Sequence, residues 1–384
     1  MSTPQPFLID VPQARLDRIR TRVAEYEWHE MPENGGWDFG ANMDYMKDLC
    51  AYWLNAYDWR KWERELNRFP QFTADIDGQM VHYIIEKGSG KNPKALLLSH
   101  GWPGSVFEFL HVIEPLAHPE RFGGNADDGF DVIAPSLPGY GFSGKPKRPI
   151  GPRRIAAYFN RLMTDVLGYQ SYIAQGGDWG SAISGWIGYD YGAPKGKCAA
   201  IHLNMYGVRS VDAVPSTPEE KQFAQRATGV QKREMGYYQE QSTKPQTLSY
   251  GMMDSPVGVC AWIVEKFYGW SDIKNDNIES VYSKDQLLTN VMIYLVTGTF
   301  NTAAWLYRGL FDDRDFGLAA GERIKVPVGV ASFPKDLLPW PPRSLAEKTY
   351  NITHWTEMGE GGHFAALEKP ELFIADIRKF AKSL

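Results

Sequence analysis

Cysteine is scarce in this chain. Three occur in 384 residues, Cys50, Cys198 and Cys260, far apart and odd in number. That excludes a disulfide framework and a zinc-ligand spacing, and it favours a reducing compartment. No apolar run is long enough to span a bilayer. The first ten residues hold prolines but lack the apolar stretch of a signal peptide. Long runs of one charge are also missing, and the net charge of −5 is mild and mixed, so no nucleic-acid surface is indicated. Repeats and low-complexity segments are absent. These absences together predict a soluble, cytoplasmic protein with neither membrane nor nucleic acid as partner.

Aromatic residues, in contrast, are plentiful: 14% of the chain, with 13 Trp and 20 Tyr. Such a chain can bury a large core and line an apolar pocket. Residues 1–90 read as an N-terminal module. It has a helical pattern opening at Val11-Pro12 with Leu16, Ile19 and Val23 on one face, then helices over 43–54 and 59–66. Its tryptophans, Trp28, Trp37, Trp53, Trp59 and Trp62, are expected to pack against the main domain. Two apolar runs flanking Asp77-Gly78 predict a β-hairpin.

From residue 91 the pattern changes to strands alternating with helices. Ala95-Leu96-Leu97-Leu98 and Phe130-Asp131-Val132-Ile133-Ala134 suit strands buried on both faces. Helical patterns cover 106–116 and 154–167, and the strand Ser171-Tyr172-Ile173-Ala174 follows the second. Residues 211–322 read as a helical lid, and 323–384 resume the sheet with strands over 325–331 and 352–358 and a closing helix over 372–380. Strand–helix alternation implies a mostly parallel sheet with helices on both faces and function at its carboxyl edge.

The central stretch is Gln175-Gly176-Gly177-Asp178-Trp179-Gly180-Ser181. It has the form of the nucleophile elbow Gly-x-Ser-x-Gly, with a carboxylate where the hydroxyl stands. An Asp capping a helix after a glycine-rich turn is the competing reading. The rest of the chain separates the two, because acid and base candidates follow at the ends of later strands: Asp336 in Phe333-Pro334-Lys335-Asp336, and His363 in Gly361-Gly362-His363-Phe364. Nucleophile, acid, histidine is the chain order of α/β-hydrolases.

An aspartate nucleophile needs no base before it attacks, since it is ionised near neutral pH. It can displace a leaving group at saturated carbon and form an ester. His363 then deprotonates the water that attacks that ester, and Asp336 orients the imidazole. The backbone N–H groups of Trp179 and Trp102 are the expected oxyanion donors.

The chain thus resembles the epoxide hydrolases of the α/β-hydrolase superfamily, in the microsomal-type branch with an extra N-terminal domain. The most specific matches are His100-Gly101-Trp102-Pro103-Gly104-Ser105, Gly176 to Ser181, Asp254-Ser255-Pro256-Val257-Gly258 and Gly361 to Ala366. The resemblance implies hydrolysis of a small apolar epoxide to a vicinal diol, in detoxification or catabolism, with no cofactor or metal. It makes Asp178 the nucleophile, His363 the base and Asp336 its partner. It also places two lid phenols on the epoxide oxygen, Tyr237 and Tyr307, with Tyr238 as an alternative to Tyr237. Membrane-bound members carry an anchor helix before the segment that matches Phe7-Leu8-Ile9, and none is seen here, which again implies solubility. A homodimer is left open. The competing activities are a haloalkane dehalogenase, which also attacks with Asp, and a silent hydrolase fold that only binds an apolar ligand.

Overall fold

Residues 3–384 are described in the computed structural model. Nine strands form one sheet: β1 (Gln5–Pro6), β2 (Gln71–Ile76), β3 (Gln79–Glu86), β4 (Lys94–Ser99), β5 (Phe130–Pro135), β6 (Tyr172–Gly176), β7 (Cys198–Leu203), β8 (Ile324–Ser332) and β9 (Tyr350–Glu357). Their order is β1-β2-β3-β5-β4-β6-β7-β8-β9. The first three join antiparallel, and every pairing from β5 to β9 is parallel. The expected hairpin forms as β2 and β3. Asp77 and Gly78 both take positive φ, 55° and 80°, the geometry that a two-residue type I′ turn requires.

The continuous apolar runs occupy the middle of the sheet. All six residues of β5 and all five of β6 are buried, as are Ala95 to Ser99 of β4. Strand β7 is an addition to the sequence reading. The sequence reading assigns no element to Cys198-Ala199-Ala200-Ile201-His202-Leu203, and in the sheet β6 and β8 flank it on either side. The segment expected as one helix over 154–167 starts at Pro152, runs as an α-helix to Arg161 and ends in a π turn over Leu162–Val166. The helix expected from Val106 begins as a 3-10 turn, Val106–Phe109, before Leu110–Ala117 turns α-helical.

The N-terminal module contributes α1 (Gln13–Ala24), α2 (Met43–Asn55) and α3 (Trp59–Leu66). Trp53, Trp59 and Trp62 are buried as expected. Trp37 is partly covered and stacks on Tyr268 of the lid at 4.0 Å between ring centroids. Trp28 departs from the expectation and is 37% exposed, because it follows the end of α1 in an open loop.

The chain between β7 and β8 is helical. For the site, the elements that matter there are the helices Gly236–Thr243, Pro256–Gly269, Lys284–Thr297 and Phe300–Asp312. Among the described residues no helix is long and apolar enough to cross a membrane.

Candidate active site

The helix Asp178–Asp190 starts directly after β6, and Asp178 is its first residue with φ of 48°. Left-handed backbone at a non-glycine residue is strained and clusters at functional sites. The turn closes because its neighbours lack side chains. A Cβ on Gly180 would overlap the Ser99 carbonyl oxygen, and one on Gly101 would overlap the Asp178 carboxylate. The helix-cap reading fails here: the residue before the helix is Gly177, and no side chain caps it. The Asp178 carboxylate instead turns outward, and its Oδ1 accepts the Trp102 backbone N–H at 2.7 Å.

Trp102 belongs to the loop after β4, which the lid holds from above. On helix Lys284–Thr297, Asn290 Nδ2 donates to the Pro103 carbonyl at 2.7 Å and accepts from Ser105 Oγ at 2.8 Å through Oδ1. One turn on, the Tyr294 hydroxyl donates to the Gly104 carbonyl at 2.6 Å. From below, His100 Nδ1 lies 3.0 Å from the Gly101 carbonyl, and its Nε2 accepts the Leu137 N–H at 3.2 Å. Burial lowers the His100 pKa to about 4, so this imidazole is a neutral strut.

Asp336 follows β8, and His363 lies beyond the end of β9. A backbone bridge between Lys335 and Gly362 sets the two loops side by side. His363 Nδ1 lies 2.7 Å from Asp336 Oδ1, and Nε2 lies 3.4 Å from Asp178 Oδ2. The His363 backbone N–H donates to the Trp270 carbonyl of the lid at 2.8 Å. Glu368 pins the same loop from behind, because its carboxylate accepts the N–H groups of Gly362, Phe364 and Asp272, each at 2.9 Å. Burial disfavours a charged imidazole, but Asp336 and Asp178 outweigh it and raise the His363 pKa well above its ordinary value. The resting ring is therefore an imidazolium held between two carboxylates.

Tyr237 lies on helix Gly236–Thr243 and Tyr307 on helix Phe300–Asp312. Both are buried, and their ring centroids are 5.8 Å apart. Tyr237 stacks flat on the Trp102 indole at 4.9 Å, and Tyr307 meets Trp179 edge-on at 4.9 Å. Burial first, then neighbouring groups including the Asp178 charge, raises both phenol pKa values well above 10, so both stay protonated donors. Among the described residues the Tyr307 hydroxyl makes no well-formed hydrogen bond, and its nearest polar neighbours are Tyr237 and Trp179. Tyr238 is less covered, packs on Tyr307 at 5.3 Å, and lines a cleft of about 670 Å³ with Trp179, Trp186, Met205, Met235 and Arg209. That volume suits a small-molecule site.

The fold thus gathers Asp178, Asp336, His363, Trp102, Trp179, Tyr237 and Tyr307 into one region. Asn290, Tyr294 and Glu368 escape a reading of the sequence, and His100 enters it only as part of the motif His100 to Ser105, without a role. Two polar residues inside an otherwise apolar lid helix, Asn290 and Tyr294, were the available signal. Among the described residues, no group of three or more His, Cys, Asp or Glu could hold a metal ion.

Known proteins resemble this chain over its whole length in sequence and in fold. Residues 4–109 match the family described as "Epoxide hydrolase N terminus", and residues 94–257 match "alpha/beta hydrolase fold". Epoxide hydrolase 1 of Sus scrofa is 33% identical over 411 aligned positions, covering 98% of this chain and 88% of that protein. The structure of Aspergillus niger epoxide hydrolase superimposes with a TM-score of 0.85 at 30% identity, covering 100% of this chain and 97% of the other. Juvenile hormone epoxide hydrolase from the silkworm Bombyx mori superimposes with a TM-score of 0.88 at 28% identity, over 100% and 95% of the two chains. Likeness this extensive, in sequence and in fold, makes the chain a member of the epoxide hydrolases of the α/β-hydrolase fold.

Proposed function

We propose that this enzyme converts an apolar epoxide and water to a vicinal diol through a covalent ester on Asp178. The observation that carries this reading is the pair of contacts on one carboxylate. Oδ1 rests on the Trp102 N–H, while Oδ2 has only a long contact of 3.4 Å to His363. Oδ2 is the freer atom and attacks an epoxide carbon. The ring C–O bond breaks as the Oδ2–C bond forms, and Tyr237 and Tyr307 donate to the emerging alkoxide. One phenol gives it a proton.

Ester formation removes the negative charge of Asp178. The His363 cation then loses one of its two supports, its pKa falls, and it releases the proton that the phenolate takes back. Neutral His363, steadied by Asp336, next accepts a proton from water through Nε2. The water oxygen bonds to the Asp178 Cγ, and Oδ1 becomes the oxyanion already seated on the Trp102 N–H. The Cγ–Oδ2 bond breaks, the diol leaves with Oδ2 and the proton held by His363, and the Asp178 carboxylic acid that remains passes its proton to His363, which restores the starting ion pair. The aromatic rings packed around Asp178, those of Trp102, Trp179, Tyr237 and Tyr307, favour an apolar epoxide. The two phenols distinguish this chemistry from dehalogenation, which would release acid into an unbuffered assay.

His363→Gln tests the covalent step. It should still alkylate but fail to release product, so the intact-protein mass should rise by one substrate mass on incubation with styrene oxide. A single turnover of the unsubstituted enzyme in oxygen-18 water should give an unlabelled first diol. Label in that first diol would mean direct attack by water.

A further inference from the structure

Asp178 and His363 both line a small cavity. It leaves the centre of a water-sized sphere about 10 Å³, and Asp178, His363, Trp102 and Glu108 are among the residues that line it. That is room for one water. A buried water also needs polar partners, and the walls supply them. Ser99 and Gln175 line the same cavity, and among the described residues Ser99 Oγ and Gln175 Oε1 are buried without a hydrogen-bond partner.

Glu108 is the unexplained group. It lies in the 3-10 turn Val106–Phe109, directly after the loop that carries Trp102. Among the described residues it makes no ion pair with a Lys or Arg. Its carboxyl fits against the bare Cα of Gly104, where any Cβ would overlap it. The second glycine of Gly101-Trp102-Pro103-Gly104 therefore makes the slot for this carboxyl. Ser105 supplies a backbone hydrogen bond, and the charges of His363 and Asp178 act on Glu108 directly. Burial, which is the largest influence, raises its pKa to about 8, so it is mostly protonated at neutral pH. A neutral carboxyl can stay beside the Asp178 anion without repulsion, and its carbonyl oxygen is a hydrogen-bond acceptor.

We infer that Glu108 is the water-positioning residue of this site, accepting one hydrogen of the hydrolytic water so that the other points at His363. The inference rests on the covalent reading proposed above. Water held this way has one O–H aimed at Nε2, its second O–H on Glu108, and a lone pair free for the Asp178 Cγ. His363 takes the first proton, the oxygen bonds to Cγ, and Glu108 keeps its own proton throughout. Fixing the water in this pose matters only for ester hydrolysis, because alkylation uses no water.

Glu108→Leu and Glu108→Gln separate the possibilities. Leucine fills the slot without an acceptor, whereas glutamine keeps one. Rapid mixing with styrene oxide resolves ester formation from ester hydrolysis through fluorescence of the surrounding tryptophans. In Glu108→Leu, alkylation should stay within about twofold of the unsubstituted enzyme, while hydrolysis slows on the order of 100-fold and ester accumulates. Glu108→Gln should recover most of the hydrolysis rate. If both steps fall together in Glu108→Gln as well as Glu108→Leu, the residue is a structural support and the inference is wrong. Normal hydrolysis in Glu108→Leu would overturn it too. His363→Gln run in parallel tells the two readings apart: no ester there overturns the covalent route itself, whereas ester there with unimpaired hydrolysis in Glu108→Leu overturns only the role of Glu108.

Discussion

Asp178 adopts a backbone conformation that costs on the order of 1–3 kcal/mol for a non-glycine residue. Aspartate tolerates it better than most side chains. The surrounding glycines and the Trp102 N–H hold it there, and the strain exposes the carboxylate at the sheet edge. Tyr307 shows a second local sacrifice of stability. Among the described residues its buried hydroxyl makes no well-formed hydrogen bond, and such a group destabilises a fold by roughly 1–3 kcal/mol. Tyr307→Phe should therefore leave the melting temperature unchanged or higher. It should also slow alkylation on the order of 100-fold, the scale of losing one donor to a developing oxyanion. Stopped-flow fluorescence and thermal melting measure the two effects, and an unchanged alkylation rate would remove Tyr307 from the reaction.

The lid helix Lys284–Thr297 does more than roof the cleft. Asn290 and Tyr294 grip three consecutive residues of the Trp102 loop, Pro103, Gly104 and Ser105. The oxyanion donor is thereby positioned by an element almost 190 residues away, since the Asn290–Pro103 bond spans 187. Asn290→Ala should leave the Pro103 carbonyl and the Ser105 hydroxyl without their buried partner. We expect a stability loss of about 2–3 kcal/mol in urea denaturation and a slower ester-forming step at saturating substrate. Retained stability together with full alkylation would show that the lid merely covers the loop. The lid is legible in the sequence as a helical insertion, because amphipathic periodicity is local. Its grip on the loop is not legible, because a polar residue within a helix carries no mark of the partner it will find. The same limit explains β7, whose small residues give a weak strand signal until β6 and β8 flank it.

Across the whole molecule, two carboxylates tie the outer layers to the core. Asp285 on the lid accepts from Tyr52 and Trp62 of the N-terminal module, at 2.8 and 3.2 Å. Asp376, on the closing helix Pro370–Lys382, lies 2.9 Å from His202 of β7 and 2.8 Å from His354 of β9, and Thr356 donates to it at 2.6 Å. Burial opposes the Asp376 anion, but its bonds with His202, Thr356 and His354 outweigh burial and depress its pKa below the ordinary range. A depressed carboxylate contributes stability that is fully present above its unfolded value, about 3.9, and is lost as pH falls toward the folded one. Asp376→Asn should therefore destabilise the enzyme by about 1–3 kcal/mol at pH 7, and the gap should narrow below about pH 4. Urea denaturation at pH 7 and pH 3.5 checks this, and an equal gap at both would rule out the charge as the cause.

Features written within a few residues of one another were readable from the chain alone. The hairpin turn depends on Asp77 and Gly78, the elbow on the glycines around Asp178, and the hydrolase chain order on which strand ends carry Asp336 and His363. Folding settled the matters that depend on distant partners. It made Asp178 a nucleophile candidate and not a helix cap, by bringing the Trp102 N–H to its Oδ1. It buried Tyr237 against Trp102 and left Tyr238 facing the cleft. It also brought Glu108, Asp178 and His363 to the walls of one small cavity. The reason is physical: backbone conformation follows mainly from neighbours along the chain, whereas protonation, desolvation and hydrogen bonding follow from neighbours in space.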